Sequence, residues 1–175
     1  MRFLHAFLFL CLFAYASAVR SQNDSLPPRN RQVLEVAQQY GPQIAPSYGK
    51  AVCTELVIGI LGHFFTLTPD DKKRIRIIVK EDVHKLIREG SALPKGVYHA
   101  LTANGRGIAV ERREDVLPGD FVQFWYPGSW GHCGIVKSMD LSAGRMELYS
   151  SFPSTDGYGV QQFEIPAYSW FVRLR

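Results

Sequence analysis

Residues 51–65 read AVCTELVIGILGHFF, an apolar run of about fifteen residues with no alternation. This stretch constrains the fold more than any other. It is too long for an ordinary strand and lacks the period of two of a half-buried one, so it predicts a helix. It falls short of the roughly 20 residues that span a bilayer. A helix apolar on nearly every side belongs in a core, so other elements must cover it.

Those elements fall into two halves. Val33, Leu34, Val36 and Ala37 lie at helical spacing and predict a short amphipathic helix over 31–40, ended by Gly41-Pro42. Residues 43–50 hold Pro46 and Gly49 and read as a loop. Thr68-Pro69-Asp70-Asp71 is a helix start, with a capping threonine, proline at the first position and acids at the positive end of the dipole. Helix is expected onward to Glu89, with a break, and Gly90 ends it. Residues 93–113 are mixed and receive no element. After Pro118-Gly119-Asp120 the character changes. Residues 121–126, 132–137, 146–150, 158–165 and 170–174 carry strand formers or alternation. Helices first and an antiparallel sheet of about five strands second make an α+β fold. No internal repeat or low-complexity segment interrupts it.

The start of the chain reads as an export signal over 1–18. Arg2 precedes an apolar stretch over 3–15, and Ala16-Ser17-Ala18 has the small-x-small form of a cleavage site. The expected product is exported, periplasmic or secreted, and has lost Cys11. Residues 19–30, with Pro27-Pro28, are expected to be a flexible lead-in, and 31–175 a single domain. No later segment has the length of a membrane anchor. The formal net charge is +4, which suits an anionic surface such as a cell wall or phospholipid. No nucleic-acid motif is present, and the basic stretch 72–76 reads as the solvated face of a helix.

Cys53 stands at the junction of loop and apolar helix. Unpaired N–H groups and the dipole at a helix N-terminus favour thiolate, the nucleophilic form. A cysteine catalyst also needs an imidazole partner. His63 lies at the far end of the same helix, about 15 Å of rise away. His84 sits on a charged helical face and is expected to be exposed, and His99 is ambiguous. His132 opens a strand after a glycine-flanked approach and is the expected partner. Cys133 offers a rival role for Cys53, since two cysteines in an exported chain suggest a disulfide. Alternation along the strand sets the two readings against each other. If His132 faces Cys53, Cys133 points away as a small buried hydrophobe.

Three segments in order, Ala51-Val52-Cys53-Thr54-Glu55-Leu56, Leu117-Pro118-Gly119-Asp120-Phe121-Val122 and Gly131-His132-Cys133-Gly134-Ile135-Val136, resemble the NlpC/P60 superfamily of papain-like peptidases and amidases. CHAP amidases and type VI amidase-like relatives are similar at this level. The resemblance implies a papain-like fold and hydrolysis of an amide in peptidoglycan stem peptides, without metal or other cofactor. In that family a polar residue on the next strand orients the histidine. Here Ser151 occupies the expected place, with Ser150 or Asp156 as alternatives. Asp156 before Gly157, and Asp120, also read as turn residues. Tyr48 is expected to help the Cys53 N–H stabilise an oxyanion, and Trp130 to wall the cleft. Glu55 is expected to turn away from the thiol. The alternative function is a non-catalytic cell-wall or partner-binding domain held by a Cys53–Cys133 disulfide.

Overall fold

The computed structural model describes residues 25–128 and 130–175. The export signal expected over 1–18 and most of the lead-in lie outside the described residues. Among the described residues five α-helices come first: α1 (Pro28–Ile44), α2 (Cys53–Leu61), α3 (Pro69–Ile75), α4 (Val83–Arg88) and α5 (Gly96–Ala103). Six strands follow: β1 (Gly107–Val110), β2 (Phe121–Trp125), β3 (Gly131–Asp140), β4 (Arg145–Phe152), β5 (Gly157–Glu164) and β6 (Tyr168–Leu174). They form one antiparallel sheet in the order β1-β6-β2-β3-β4-β5. The α+β arrangement is as the residues predict. The count of about five strands is corrected to six: β1 is a four-residue strand on the sheet edge, too short to show a period.

Helix α1 departs from expectation at both ends. It starts within the supposed lead-in, because Pro28 sits comfortably in the first turn and Asn30 is buried. The Asn30 amide donates to Pro118 O and to the Asp120 carboxylate, both at 2.8 Å. It also runs past Gly41-Pro42 to Ile44, since a proline in the last turn forfeits one N–H while Ala45 N–H still reaches Gly41 O. Gly41 is needed for packing: a Cβ there would lie 2.2 Å from the Tyr158 ring of β5. The expected break between α3 and α4 falls at residues 76–82.

The middle of the apolar run becomes the central helix, shorter than expected: α2 covers Cys53–Leu61, and residues 62–65 turn away with Gly62 and His63 exposed. Leu56, Val57, Ile60 and Leu61 of α2 are wholly buried. They pack with Val33 and Ala37 of α1, Val97 and Leu101 of α5, and Phe121, Cys133, Ile135 and Val172 from one face of the sheet. The other face carries Val122, Phe124, Val136, Leu148, Phe152, Phe163 and Phe171, a second apolar cluster with no helix residue in it. That face buries itself by curling. Two strands separate β2 from β5, so a flat sheet would hold them about 14 Å apart, yet the Phe124 and Phe163 rings are 5.3 Å apart.

Asp120 fixes the entry to β2. It accepts the Leu117 N–H as a turn cap, as expected, and also pairs two-pronged with Arg173 of β6 at 2.8 Å. Of the basic stretch, Lys73 and Arg76 are exposed, while Arg74 pairs with Asp71 and Arg76 with Glu55. No described helix is long and apolar enough to cross a membrane.

Candidate functional site

Cys53 is the first residue of α2, and Val52 precedes it in an extended conformation with no side-chain cap. The first-turn N–H groups therefore face the thiol region without competition from a capping oxygen. Glu55 lies on the same turn but engages Arg76 through two bonds of 2.6 and 2.9 Å. Its charge is spent there, away from the sulfur, as expected.

Alternation along β3 holds, but the assignment of faces is the reverse of the sequence reading. His132 is paired with Phe124 of β2 and shares its face, the one remote from the helices. Cys133 is paired with Gln123 and faces the helices, where Cys53 packs against the same core. The physical reason is fit: the small thiol is wholly buried against the helix-side core, and the planar imidazole, itself buried, stacks against the Phe152 and Trp130 rings of the other face. The start of β3 is nevertheless close enough to α2 that Cys53 interacts with both side chains. The two readings expected to exclude each other converge on one sulfur.

The electrostatics follow. Cys53 is pulled down to about 4, first by a hydrogen bond from the Cys133 thiol, against the opposing effect of burial, and then by the hydrogen bond and charge of His132. Cys133 is pushed well above an ordinary thiol by its bond to Cys53 and by burial. The proton therefore stays on Cys133, whose S–H donates to a Cys53 thiolate. Both cysteines are free thiols.

None of the residues expected to orient His132 does so. Ser151 donates to Ala51 O at 2.5 Å and Ser150 to Cys133 O at 2.7 Å. Both buried hydroxyls are consumed by backbone, one bracing the loop into α2 and the other the strand carrying His132. Asp156 adopts a left-handed conformation at a turn and accepts the Tyr48 N–H at 3.2 Å. The ring is held by stacking instead. Phe152 lies 4.9 Å from it at 19° and Trp130 5.7 Å at 5°, one ring from β4 and one from the approach to β3. His132 Nε2 is buried without a partner, which leaves Nδ1 as the nitrogen available to the thiol.

Two cavities flank the sulfur. One, of about 300 Å³, is lined by Tyr48, Cys53, Trp130, His132, Phe152 and Gln161, so Tyr48 and Trp130 meet at the expected cleft. The other, of about 160 Å³, lies between α2 and the sheet, with Arg76, Gln123, Trp125 and Cys133 in its wall. Gln123 and Arg76 were not singled out by sequence reasoning. Gln123 is buried with its Oε1 unpartnered. A polar residue inside the otherwise aromatic and apolar run 121–126 was the signal for it. Arg76 carried no signal, since its place depends on the turn after α3. The remaining histidines stay apart from the sulfur. His63 is exposed beside Tyr40, and His99 is half-buried on α5. His84, expected to be exposed, is half-buried against Trp125 and Tyr168, because α4 folds back against the end of the β2–β6 pair.

Comparison with known proteins finds no matching family model, no matching curated protein and no matching solved structure. The reading of the site therefore stands on its residues.

Proposed function

We propose that this chain is an exported cysteine hydrolase of papain-like, NlpC/P60-type arrangement that cleaves amide bonds in peptidoglycan stem peptides. The observation that carries the proposal is the Cys53 sulfur at a helix start, its pKa pulled down by its neighbours, with His132 beside it and an aromatic-walled groove lined by both. Cys53 attacks the amide carbonyl. The oxyanion is received by the Cys53 N–H and the Tyr48 side chain. His132 protonates the departing amine, and then acts as base for the water that hydrolyses the thioester. Trp130 and Phe152 hold the imidazole plane, replacing the polar orienting residue of the resembled family.

The test uses purified peptidoglycan peptides with fragment analysis. Cys53→Ala is expected to abolish cleavage, and His132→Ala to lower it by about 10²–10⁴-fold, each with the fold retained. Full activity in either variant rejects the dyad. The contact between Cys53 and Cys133 favours a second reading, a non-catalytic wall- or partner-binding domain locked by their disulfide. Turnover after full reduction separates the two, because the non-catalytic domain cleaves no peptidoglycan peptide even with both thiols free.

A further inference from the structure

Cys133 sets a second, wholly buried thiol beside the nucleophile, and no bond-making step of the hydrolytic mechanism uses its sulfur. It faces the nucleophile rather than the opposite side of the sheet, lines the same small cavity, and its S–H is engaged by Cys53. We propose that Cys133 is a resolving thiol and that the pair reduces a small hydroperoxide, closing a reversible Cys53–Cys133 disulfide that switches the hydrolase off. This inference rests on Cys53 being an activated nucleophile.

The chemistry balances with the hydroperoxide as oxidant. The Cys53 thiolate attacks the outer peroxide oxygen, the O–O bond breaks, and the alkoxide or hydroxide leaves and takes a proton from water. Cys53 is now a sulfenic acid. Cys133 sulfur then attacks the Cys53 sulfur. The S–S bond forms, the S–O bond breaks, and the hydroxyl leaves as water with the Cys133 proton. Two thiols have lost two electrons, and the peroxide has become an alcohol (or water) and water. Three features suit these steps. The sulfur that must act first is held as thiolate and borders both cavities, whereas Cys133 is wholly buried and cannot be the first target. The cavity of about 160 Å³ admits a peroxide but not a peptide. Cys133 keeps its proton until the leaving hydroxyl needs one.

The groups around the pair are Glu55, Arg76, Gln123 and His132. Gln123 stands directly across from Cys133 on β2, with its buried Oε1 unpartnered and turned toward Gly96.

The experiment treats reduced full-length chain with one equivalent of hydrogen peroxide and reads intact mass, then peptide maps after thiol blocking in denaturant. The expected product has lost two hydrogens, contains a Cys53–Cys133 crosslinked peptide, and recovers both thiols with dithiothreitol. Cys133→Ser is expected to stop at a Cys53 sulfenic acid trapped by dimedone, and to gain further oxygen with excess peroxide. Wild-type protein that accumulates oxygen on Cys53 while Cys133 remains blockable overturns the resolving role. Protein unchanged under conditions that oxidise a control thiolate overturns the peroxide reaction. The hydrolase reading is tested separately, by turnover of the fully reduced protein, in which Cys53, His132 and Cys133 are all intact. Turnover present with no disulfide formed sinks this inference alone. A disulfide formed with no turnover on any peptidoglycan peptide sinks the substrate reading alone.

Discussion

At the scale of single residues, one sulfur is served by two donors of different kinds. Cys133, through the hydrogen bond from its S–H, and His132, through a hydrogen bond and its charge, both lower Cys53. A thiol whose folded pKa lies below the usual value of about 8.5 stays anionic and reactive as pH falls, and loses reactivity only near the folded value. Alkylation of Cys53 by iodoacetamide is therefore expected to hold its rate from neutral pH down toward pH 5, and to fall as pH approaches about 4. Cys133→Ala and His132→Ala are each expected to move that fall upward. A profile that drops below about pH 8 in the unaltered protein rejects the thiolate. Phe152 makes the closest ring contact with His132. Truncating it to Ala leaves a cavity that costs about 3–5 kcal/mol and frees the imidazole to turn. Turnover is expected to fall while the pH profile of Cys53 labelling moves up.

At the scale of elements, the short helices of the first half are stabilised at their ends more than along their length. Helix α3 has a complete capping box: the Thr68 hydroxyl accepts the Asp71 N–H, and the Asp71 carboxylate accepts the Thr68 N–H. Asp71 also receives Arg106 at 2.9 Å and the Asn104 side-chain amide, which ties α3 to the end of α5. Burial pushes the Asp71 carboxyl up, but the Thr68 N–H and hydroxyl and the Arg106 charge outweigh it and hold it below the usual carboxylate value. A depressed acid contributes stability that is present above its unfolded pKa, about 3.9, and is lost as pH falls through the folded value. Asp71→Asn is expected to lower stability at neutral pH and to flatten the acid limb of a urea-denaturation series. An unchanged acid limb assigns that limb to other groups. The turn into β2 depends likewise on Asp120. Asp120→Ala strands the Arg173 guanidinium and the Asn30 amide, and is expected to cost about 3 kcal/mol in urea denaturation.

At the scale of the whole molecule, α1 joins distant parts of the chain. Asn30 reaches the turn before β2, the Arg29 side chain donates to Arg175 O, and Gly41 lets the Tyr158 ring of β5 lie against the helix backbone. A methyl at Gly41 would collide with that ring, and the ring cannot retreat without opening the joint between α1 and β5. Gly41→Ala is expected to destabilise by about 1–3 kcal/mol despite its better helix propensity. Thermal unfolding reads the sign directly: stabilisation means the joint yields.

Much of this molecule was legible along the chain because it depends on periodicity and local punctuation. The apolar run 51–65 had to contain a buried helix, Thr68-Pro69 had to start one, and the five longer strands announced themselves by strand formers and alternation. Cys53 at a helix start, and Tyr48 and Trp130 at one cleft, followed from the same local physics. Alternation also required His132 and Cys133 to face opposite ways, but it is blind to which face is which. Only the packing of β3 against α2 put the small apolar thiol inward and left the imidazole among aromatic rings. The roles of Ser150, Ser151 and Asp156 were decided in the same way, by which backbone group lay within reach once the sheet had curled. Partners such as Arg173 for Asp120, or Gln123 for the cavity beside Cys53, are set by strand order, and strand order leaves no trace in the spacing of residues.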